Sequence, residues 1–264
     1  MNVDHGRPLR EALREAGLAG VPRTLVEPER YVGYLEAHVE QGDALEAAGQ
    51  RIGIVTSIVG IWQYRIVFHG VQNHAGTTRM AIRKDAGVAA ATLAMAIADE
   101  FPKVAGPRSV WTTGRISLEP GAMSIIPGKA EMLFQFRDAE IRVLERLDTT
   151  LRKLVERTEA GTGCRAEVER IATGRPWHMD ASFQDALEVA AERYAPGVHV
   201  RMPSGASHDA QVVARKLRAG MLFVPSIGGI SHHWTENTAD ADIVLGCQVL
   251  SDAAEAILRG HGQP

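Results

Sequence analysis

The stretch KAEMLFQFR, residues 129–137, alternates between two kinds of side chain. The period of two predicts a β-strand with one apolar face, formed by Ala130, Met132, Phe134 and Phe136. The other face carries mostly polar residues and ends at Arg137. The pattern therefore predicts a strand that covers a core on one side and holds a guanidinium at its carboxyl end.

The elements on either side of this strand complete a β-α-β-β-α-β order. Upstream, we expect a strand over 62–68, a helix over about 84–101 and a strand over 110–118. The apolar positions of that helix include Val88, Ala91 and Met95. Downstream, helical spacing predicts a second helix, with the stripe Leu144, Leu147, Leu151 and Leu154. GCRAEVERI, residues 163–171, then alternates as a final strand. This order is typical of the split βαβ or ferredoxin-like unit, two helices on a four-stranded antiparallel sheet.

Different patterns flank this unit. GYLEAHVEQG, residues 33–42, predicts a strand, and from Asp180 onward the pattern is helix, strand, helix, strand, helix, which suits α/β layering. A compact unit between two α/β pieces is typical of an insertion. We therefore predict an α/β fold in which residues 1–60 and 176–264 form one domain and residues 61–175 form an inserted ferredoxin-like domain.

The composition excludes several classes of protein. Of the 264 residues, 45% are hydrophobic and 23% charged, and the formal net charge of -3 comes from interleaved acidic and basic residues. The sequence has no stripe of basic residues of the kind that binds a phosphate backbone, so we expect no nucleic-acid partner. No apolar stretch approaches the ~20 residues of a membrane span, and we expect a cytoplasmic protein without membrane association. Cys164 and Cys247 are interpreted as small core residues rather than a disulfide or thiolate site.

Small, polar and ionisable residues gather in four clusters: HVEQG, NHAGTT, SGASHDA and GGISHHWTE. No single cluster is specific, since a lone histidine such as His38 is more often a hydrogen-bonded structural residue than a ligand. Alternation in GYLEAHVEQG places Glu36, His38 and Glu40 on one strand face. In GGISHHWTE the two glycines follow an apolar strand, so His232, His233 and Glu236 are expected at a strand's carboxyl end. A polar loop with an incidental histidine pair is the alternative.

Two further positions have competing interpretations. A guanidinium held at a strand end suits bidentate capture of a carboxylate, which is the functional interpretation of Arg137. Its alternative is a surface ion pair with Asp138 or another neighbour. Ser207 is placed to cap a helix that begins beside His208, and Asp209 would then complement the helix dipole.

Taken in order, these clusters resemble one family of hydrolases. The motifs that carry the resemblance are YLEAHVEQGDALEAAGQRIGIVTSIVG, NHAGTTRMAIRKDA, GRISLEPGAMSIIPG, SGASHDA and FVPSIGGISHHWTENT. They resemble the zinc-dependent amidohydrolases that include N-carbamoyl-L-amino acid hydrolase, allantoate amidohydrolase and β-ureidopropionase, within the dinuclear zinc peptidase superfamily. The resemblance implies a catalytic α/β domain interrupted by a ferredoxin-like dimerisation domain, and hence a homodimer.

The resemblance also implies roles for individual residues. His38 and His232 look like ligands of two zinc (or manganese) ions, and His74 like the residue that polarises the scissile carbonyl from the partner subunit. The side chains implied in contact with a small carboxylate-bearing ureido or amide substrate are Arg137, Ser124, Gln63 and His208.

Three departures from the family pattern bear on activity. Ser124 stands where the family has Asn in an NVIPG-like turn, and Trp234 stands where SHxPxE has Pro. Family members also carry an N-terminal segment with an early His, a bridging Asp and a Glu pair. We therefore expect an N-terminally truncated chain with one ligand for each metal, and weak metal binding.

The sequence thus predicts a metal-dependent hydrolase of non-peptide C–N bonds, acting on an N-carbamoyl amino acid, ureido acid or allantoate type of substrate and incomplete as this chain alone. The alternative is a non-catalytic dimeric binding protein descended from such an enzyme. A serine or cysteine hydrolase lacks support, because no GxSxG motif occurs.

Overall fold

The chain divides into two units, residues 1–31 and 32–264. The computed structural model describes residues 2–3, 7–22 and 24–261. In the first unit, β1 (Asn2–Val3) pairs antiparallel with β2 (Arg7–Pro8), and α1 (Leu9–Glu15) follows directly. A short 3-10 turn closes this unit at Pro28–Arg30.

The second unit holds the two main sheets. Its strands are β3 (Tyr34–Val39), β4 (Ile52–Ile58), β5 (Gly60–His69), β6 (Asn73–His74), β7 (Val110–Glu119), β8 (Ile125–Ile126), β9 (Lys129–Asp138), β10 (Arg165–Thr173), β11 (Trp177–His178), β12 (His199–Ser204) and β13 (Ala219–Val224). Its helices are α2 (Ala44–Ala47), α3 (Ala86–Val104), α4 (Ile141–Thr162), α5 (Ala181–Tyr194), α6 (Asp209–Val213) and α7 (Asp240–His261).

The first of these sheets is antiparallel and has the strand order β10-β5-β9-β7. Apart from the short strands β6 and β8, the elements follow the order that periodicity predicts: β5, α3, β7, β9, α4, β10. The alternation in β9 appears as alternating burial. Both α3 and α4 contribute to one core with this sheet, and Phe136 lies at its centre, with ring centroids 5.4 Å from Tyr64 and 5.9 Å from Phe101.

Helix α3 packs on a different face from the one predicted from Val88, Ala91 and Met95. Val88 and Met95 are exposed, and the buried side of the helix is formed by Ala86, Ala89, Ala90, Leu93, Ile97 and Phe101. This face combines large side chains with alanines, and the alanines let the helix backbone approach the sheet closely. Asp85 caps the helix by accepting hydrogen bonds from the backbone N–H groups of Gly87 and Val88.

The second sheet is mixed. Its strand order is β11-β4-β13-β3, and β12 pairs in parallel with β4. Strands β3 and β13 run parallel with Phe223 opposite His38, so their carboxyl ends lie at the same edge. Buried residues of α5 and α7 pack with Ile54 and Leu222 in one core, whereas Leu45 of α2 and Ala210 of α6 belong to another with Val55 and Phe223.

The mixed α/β class is confirmed, as is the alternation of helices and strands after Asp180. The interpretation of both cysteines as core residues is half wrong, because Cys164 is buried and Cys247 is exposed on α7. Within the described residues, no helix is long and apolar enough to cross a membrane.

Candidate metal and carboxylate site

His38 lies near the carboxyl end of β3 with one ring nitrogen already engaged. Its Nδ1 is 2.7 Å from the backbone oxygen of Val39. A carbonyl oxygen only accepts hydrogen bonds, so Nδ1 carries the ring proton and donates it. The lone pair of Nε2 is therefore left available, as in most metal-binding histidines.

His208 contacts His38 from a different segment of the chain. It directly precedes α6, its side chain is only 2% exposed, and its ring centroid is 4.7 Å from that of His38 in an edge-to-face arrangement. Burial, and secondarily the nearby His38, lowers the pKa of His208 to about 4, against a smaller opposing effect of Asp209. The imidazole is thus neutral near pH 7, the form that binds metal ions.

Glu36 completes the cluster. Its position two residues before His38 puts both side chains on one face of β3. One carboxylate oxygen, Oε2, accepts a hydrogen bond of 2.7 Å from the backbone N–H of Ala210, and Oε1 lies 3.8 Å from Nδ1 of His208. Ligand atoms of Glu36, His38 and His208 all lie within 4.8 Å of one another. Two imidazoles and a carboxylate are a donor set that transition metals such as zinc prefer, so the residues present fit a metal ion.

His232 lies on the loop after β13, in the left-handed backbone region with φ of 55°. Its backbone N–H donates to Oε2 of Glu236 at 2.8 Å, and Nε2 of Gln41 donates to Oε1 of the same carboxylate at 2.9 Å. These bonds lower the pKa of Glu236, the one from Gln41 most. Gln41 itself has a φ of 55°, and its N–H is held by Oγ of Ser226. Glu236 therefore ties the His232 loop to the segment that follows β3.

A cleft of about 410 Å³ contains both Arg137 and His232. Nη1 of Arg137 donates to the backbone oxygen of Gly205 at 3.0 Å, and Nη2 lies 3.5 Å from Oε1 of Gln135. Among the side chains that the structure describes, no carboxylate is within ion-pair distance of this guanidinium. A second arginine, Arg108, also lines the cleft. The cleft therefore presents two cations to an anionic ligand.

Asp138, the neighbour that the alternative interpretation pairs with Arg137, is committed elsewhere. Its side chain is buried, and its oxygens accept hydrogen bonds from Oγ of Ser109 and from the backbone N–H of Glu140. The Arg137–Asp138 ion pair is therefore not formed.

The remaining predicted residues lie elsewhere. His74 ends β6 and Ser124 directly precedes β8, and the two lie close together because the N–H of Ala75 donates to the backbone oxygen of Ser124 at 2.9 Å. Nδ1 of His74 accepts from the N–H groups of Gly76 and Thr77 at 3.0 and 3.2 Å, which leaves Nε2 protonated and free to donate. Gln63 lies in a separate depression on the first sheet with Thr112 and Leu133.

The structure thus brings together three pairs of predicted residues: His38 with His208, Arg137 with His232, and His74 with Ser124. Sequence reasoning did not single out Glu36 as a ligand or Glu236 as the anchor of the loop, and it did not name Arg108. Glu36 carried a signal in the sequence, because a strand period of two places it beside His38, and Glu236 stands in the GGISHHWTE cluster.

Comparison with known proteins identifies similar chains over nearly the whole length. The model of peptidase family M20/M25/M40 matches residues 11–256. An allantoate amidohydrolase of Bacillus subtilis (strain 168) is 34% identical over 260 residues, and an N-carbamoyl-L-amino acid amidohydrolase of Geobacillus stearothermophilus is 31% identical over 260 residues. These alignments cover 94% and 97% of this chain but 60% and 62% of the relatives.

Solved structures are also similar to nearly the whole of this chain. The crystal structure of an amidase (hydantoinase/carbamoylase family) from Burkholderia phymatum aligns with a TM-score of 0.86 and 45% identity. That alignment covers 98% of this chain and 63% of the Burkholderia chain. The chain therefore spans about three fifths of the length of the proteins it matches.

Proposed function

The chain belongs to peptidase family M20/M25/M40, and from that membership we propose that it takes part in metal-dependent hydrolysis of non-peptide C–N bonds in small ureido or N-carbamoyl acids. The observation that carries the proposal is the Arg137 guanidinium, which lies in a cleft with His232 and has no carboxylate partner among the described residues. The names of the relatives support this substrate class, since they refer to allantoate and to N-carbamoyl-L-amino acids.

Arg137 would bind the substrate carboxylate. The bond from Nη1 to Gly205 fixes the plane of the guanidinium while leaving further N–H groups for a ligand. Charge-assisted bidentate bonds to a planar carboxylate would fix the orientation of the substrate as well as its position. The scissile carbonyl would then be held at a defined distance from the clamp, which is the main contribution of binding to the rate.

The metal of the proposal is zinc or manganese, two ions in the whole family site, with His38 and His232 as ligands from this chain. Lewis-acid polarisation of the scissile carbonyl is the chemistry that such a metal supplies. The free Nε2 of His38 suits this role, and the bonds of Glu236 hold the His232 backbone in place.

We further propose that this chain works as a cytoplasmic homodimer in which residues 61–175 are an inserted ferredoxin-like dimerisation domain. The exposed Val88 and Met95 on α3 supply apolar surface for such an interface. His74 would then act across the dimer, where its Nε2–H would stabilise the developing oxyanion of the substrate bound to the partner. Ser124 would contact the same substrate, and Gln63 would do so from the first sheet.

The test is ammonia release from N-carbamoyl amino acids and allantoate, with zinc or manganese added. We expect Arg137→Ala to raise KM for these acids about 10- to 100-fold, and to leave unchanged the turnover of matched substrates whose carboxylate is replaced by an amide. Equal losses on both substrate types would overturn the carboxylate clamp.

If the chain alone shows no turnover, calorimetry with an N-carbamoyl amino acid tests whether the chain still binds this substrate class. Binding that disappears in Arg137→Ala supports the non-catalytic alternative, a binding protein that uses the same clamp. The absence of both turnover and binding would overturn the proposal for this chain.

A further inference from the structure

We propose that Glu36, His38 and His208 form a three-ligand site for one divalent transition-metal ion, held entirely by this chain. The proposal goes beyond the function above, in which His38 is one ligand of a larger site, and beyond the family resemblance, which implies only substrate contact for His208. It does not depend on hydrolysis, because an ion can bind here whether or not the chain turns over any substrate.

The first argument is the direction of the His38 lone pair. Its Nδ1–H is used in the bond of 2.7 Å to the oxygen of Val39, so only Nε2 remains as an acceptor. Val39 follows His38 directly on β3, and the strand holds the carbonyl in place. The bond therefore selects the tautomer and fixes the ring orientation, as hydrogen-bond partners of metal ligands do.

The second argument comes from the bonds around Ser204, which favour one tautomer of His208. Oγ of Ser204 accepts from the N–H of Ala206 and lies 3.1 Å from the oxygen of Ala206, where its single proton is placed to donate. The contact of 2.7 Å between this Oγ and Nε2 of His208 then needs its proton from the imidazole. Nδ1 of His208 is left with a lone pair that faces Oε1 of Glu36 at 3.8 Å.

The third argument is the negative charge and the lack of donated protons in the cluster of Glu36, His38 and His208. Oε2 of Glu36 accepts from the N–H of Ala210, and Oε1 lies 3.8 Å from Nδ1 of His208. One ligand atom from each of Glu36, His38 and His208 lies within 4.8 Å of the other two. Because the ring protons are used in the bonds to Val39 and Ser204, the groups left to meet are two imidazole lone pairs and one carboxylate oxygen. Acceptors brought together in a largely buried site repel one another unless a cation lies between them.

The distances suit an ion after small side-chain movements. Ligand atoms about 2.1 Å from a tetrahedral metal are about 3.4 Å apart, whereas those of the cluster lie within 4.8 Å of one another. The side chains of Glu36 and His208 are 12% and 2% exposed, and shifts small enough to keep the bonds to Val39 and Ala210 would bring the ligand atoms around one ion. Two nitrogens and one oxygen favour Zn²⁺, Co²⁺ or Mn²⁺ over Ca²⁺ and Mg²⁺, which prefer oxygen ligands alone.

The experiment measures binding of Zn²⁺ by isothermal titration calorimetry to the full chain, first freed of metal with a chelator, and records the visible spectrum with Co²⁺. We expect one ion per chain. His208→Asn and Glu36→Gln should each weaken binding about 100-fold or more, beyond the roughly 10- to 100-fold caused by losing a hydrogen-bond partner of a ligand. Glu36→Gln retains an acceptor for the N–H of Ala210, and circular dichroism checks that both variants fold.

The control is His69→Asn. His69 forms a comparable pair with a carboxylate, 3.5 Å from Glu167, and stands on the first sheet outside the cluster. This variant should bind the ion as the unaltered chain does. Binding that survives His208→Asn and Glu36→Gln but is lost in His232→Asn would place the ion elsewhere and overturn the proposal, as would the absence of any bound ion. Neither result bears on the carboxylate clamp, which is tested with substrate.

Discussion

The imidazole rings of His38 and His208 lie edge to face, with their centroids 4.7 Å apart. One ring stands on β3 and the other immediately before α6. Glu36 bridges the two segments, because its carboxylate accepts from the N–H of Ala210 and faces His208. The order of the strands therefore creates a cluster that no single motif contains.

The two arginines of the cleft should differ in their effect on substrate. Arg137→Ala should raise KM for a carboxylate-bearing substrate about 10- to 100-fold, because a hydrogen bond to a charged group is worth about 1.5–3 kcal/mol. Arg137→Lys should recover only part of this, since an ammonium keeps the charge without the planar fork. Steady-state kinetics, or calorimetry if turnover is absent, measures the change.

Arg108→Ala is the matched control for that experiment. Arg108 lines the same cleft but is exposed, so solvent screens its charge and the effect should stay below about 10-fold. If the two alanine variants weaken binding equally, Arg137 is not the specific clamp.

Glu236→Ala should release the His232 loop. The carboxylate holds the N–H of His232 and the amide of Gln41, and both residues have a φ of 55°, which is unfavourable for residues with a side chain. Amide hydrogen exchange at His232 should become faster in the variant, with the rest of β13 unchanged.

Glu46→Ala provides the comparison on the same loop. Its Oε2 accepts from the N–H of Gly228 at 2.8 Å. This variant should speed exchange at Gly228 and spare His232. Equal exchange at His232 in both variants would mean that Glu236 does not anchor it.

The core of the first sheet should depend strongly on Phe136. The residue is fully buried and contacts four aromatic rings, those of Trp62, Tyr64, Phe101 and Phe134. Phe136→Ala should lower the free energy of unfolding by about 3–5 kcal/mol, through lost burial and the cavity that remains. Urea unfolding measures this, and exposed Val189→Ala on α5 should change the value by less than about 0.5 kcal/mol.

Glu131 should make the stability of the first sheet sensitive to acid. Hydrogen bonds from Arg65 and then from Arg115 lower its pKa below the ordinary value of 4.5. Because the folded-state pKa is the lower one, the stabilisation is fully present above pH about 4.5 and is lost as the pH falls through the folded-state pKa. Glu131→Gln should therefore destabilise the protein near pH 7, and the difference from the unaltered chain should shrink towards about pH 3.

Urea unfolding over this pH range measures the difference. Glu156→Gln on the exposed side of α4 serves as control and should show no such trend. A constant difference between Glu131→Gln and the unaltered protein would mean that the ion pairs of Glu131 contribute nothing to folding.

The sequence by itself determined the order of the main helices and strands between residues 62 and 171 and after Asp180. A period of two in KAEMLFQFR and a leucine stripe at helical spacing are local properties, since they follow from the geometry of one strand or one helix. The same reasoning placed Arg137 at a strand end and set Glu36 beside His38. It chose the wrong face of α3, because apolar residues occur on more than one side of this helix and only the packing shows that the side with Leu93 and Phe101 is buried.

Only the tertiary structure decided which of these residues meet. The parallel pairing of β3 with β13, and of β12 with β4, brings His208 to His38 and the His232 loop to Gln41. These contacts join residues far apart in the chain, and their register is set by the burial of whole sheet faces rather than by any local motif. The tautomers of His38 and His208 depend in turn on partners at Val39 and Ser204. The direction of a lone pair is a property of the packed structure, and the sequence alone does not contain it.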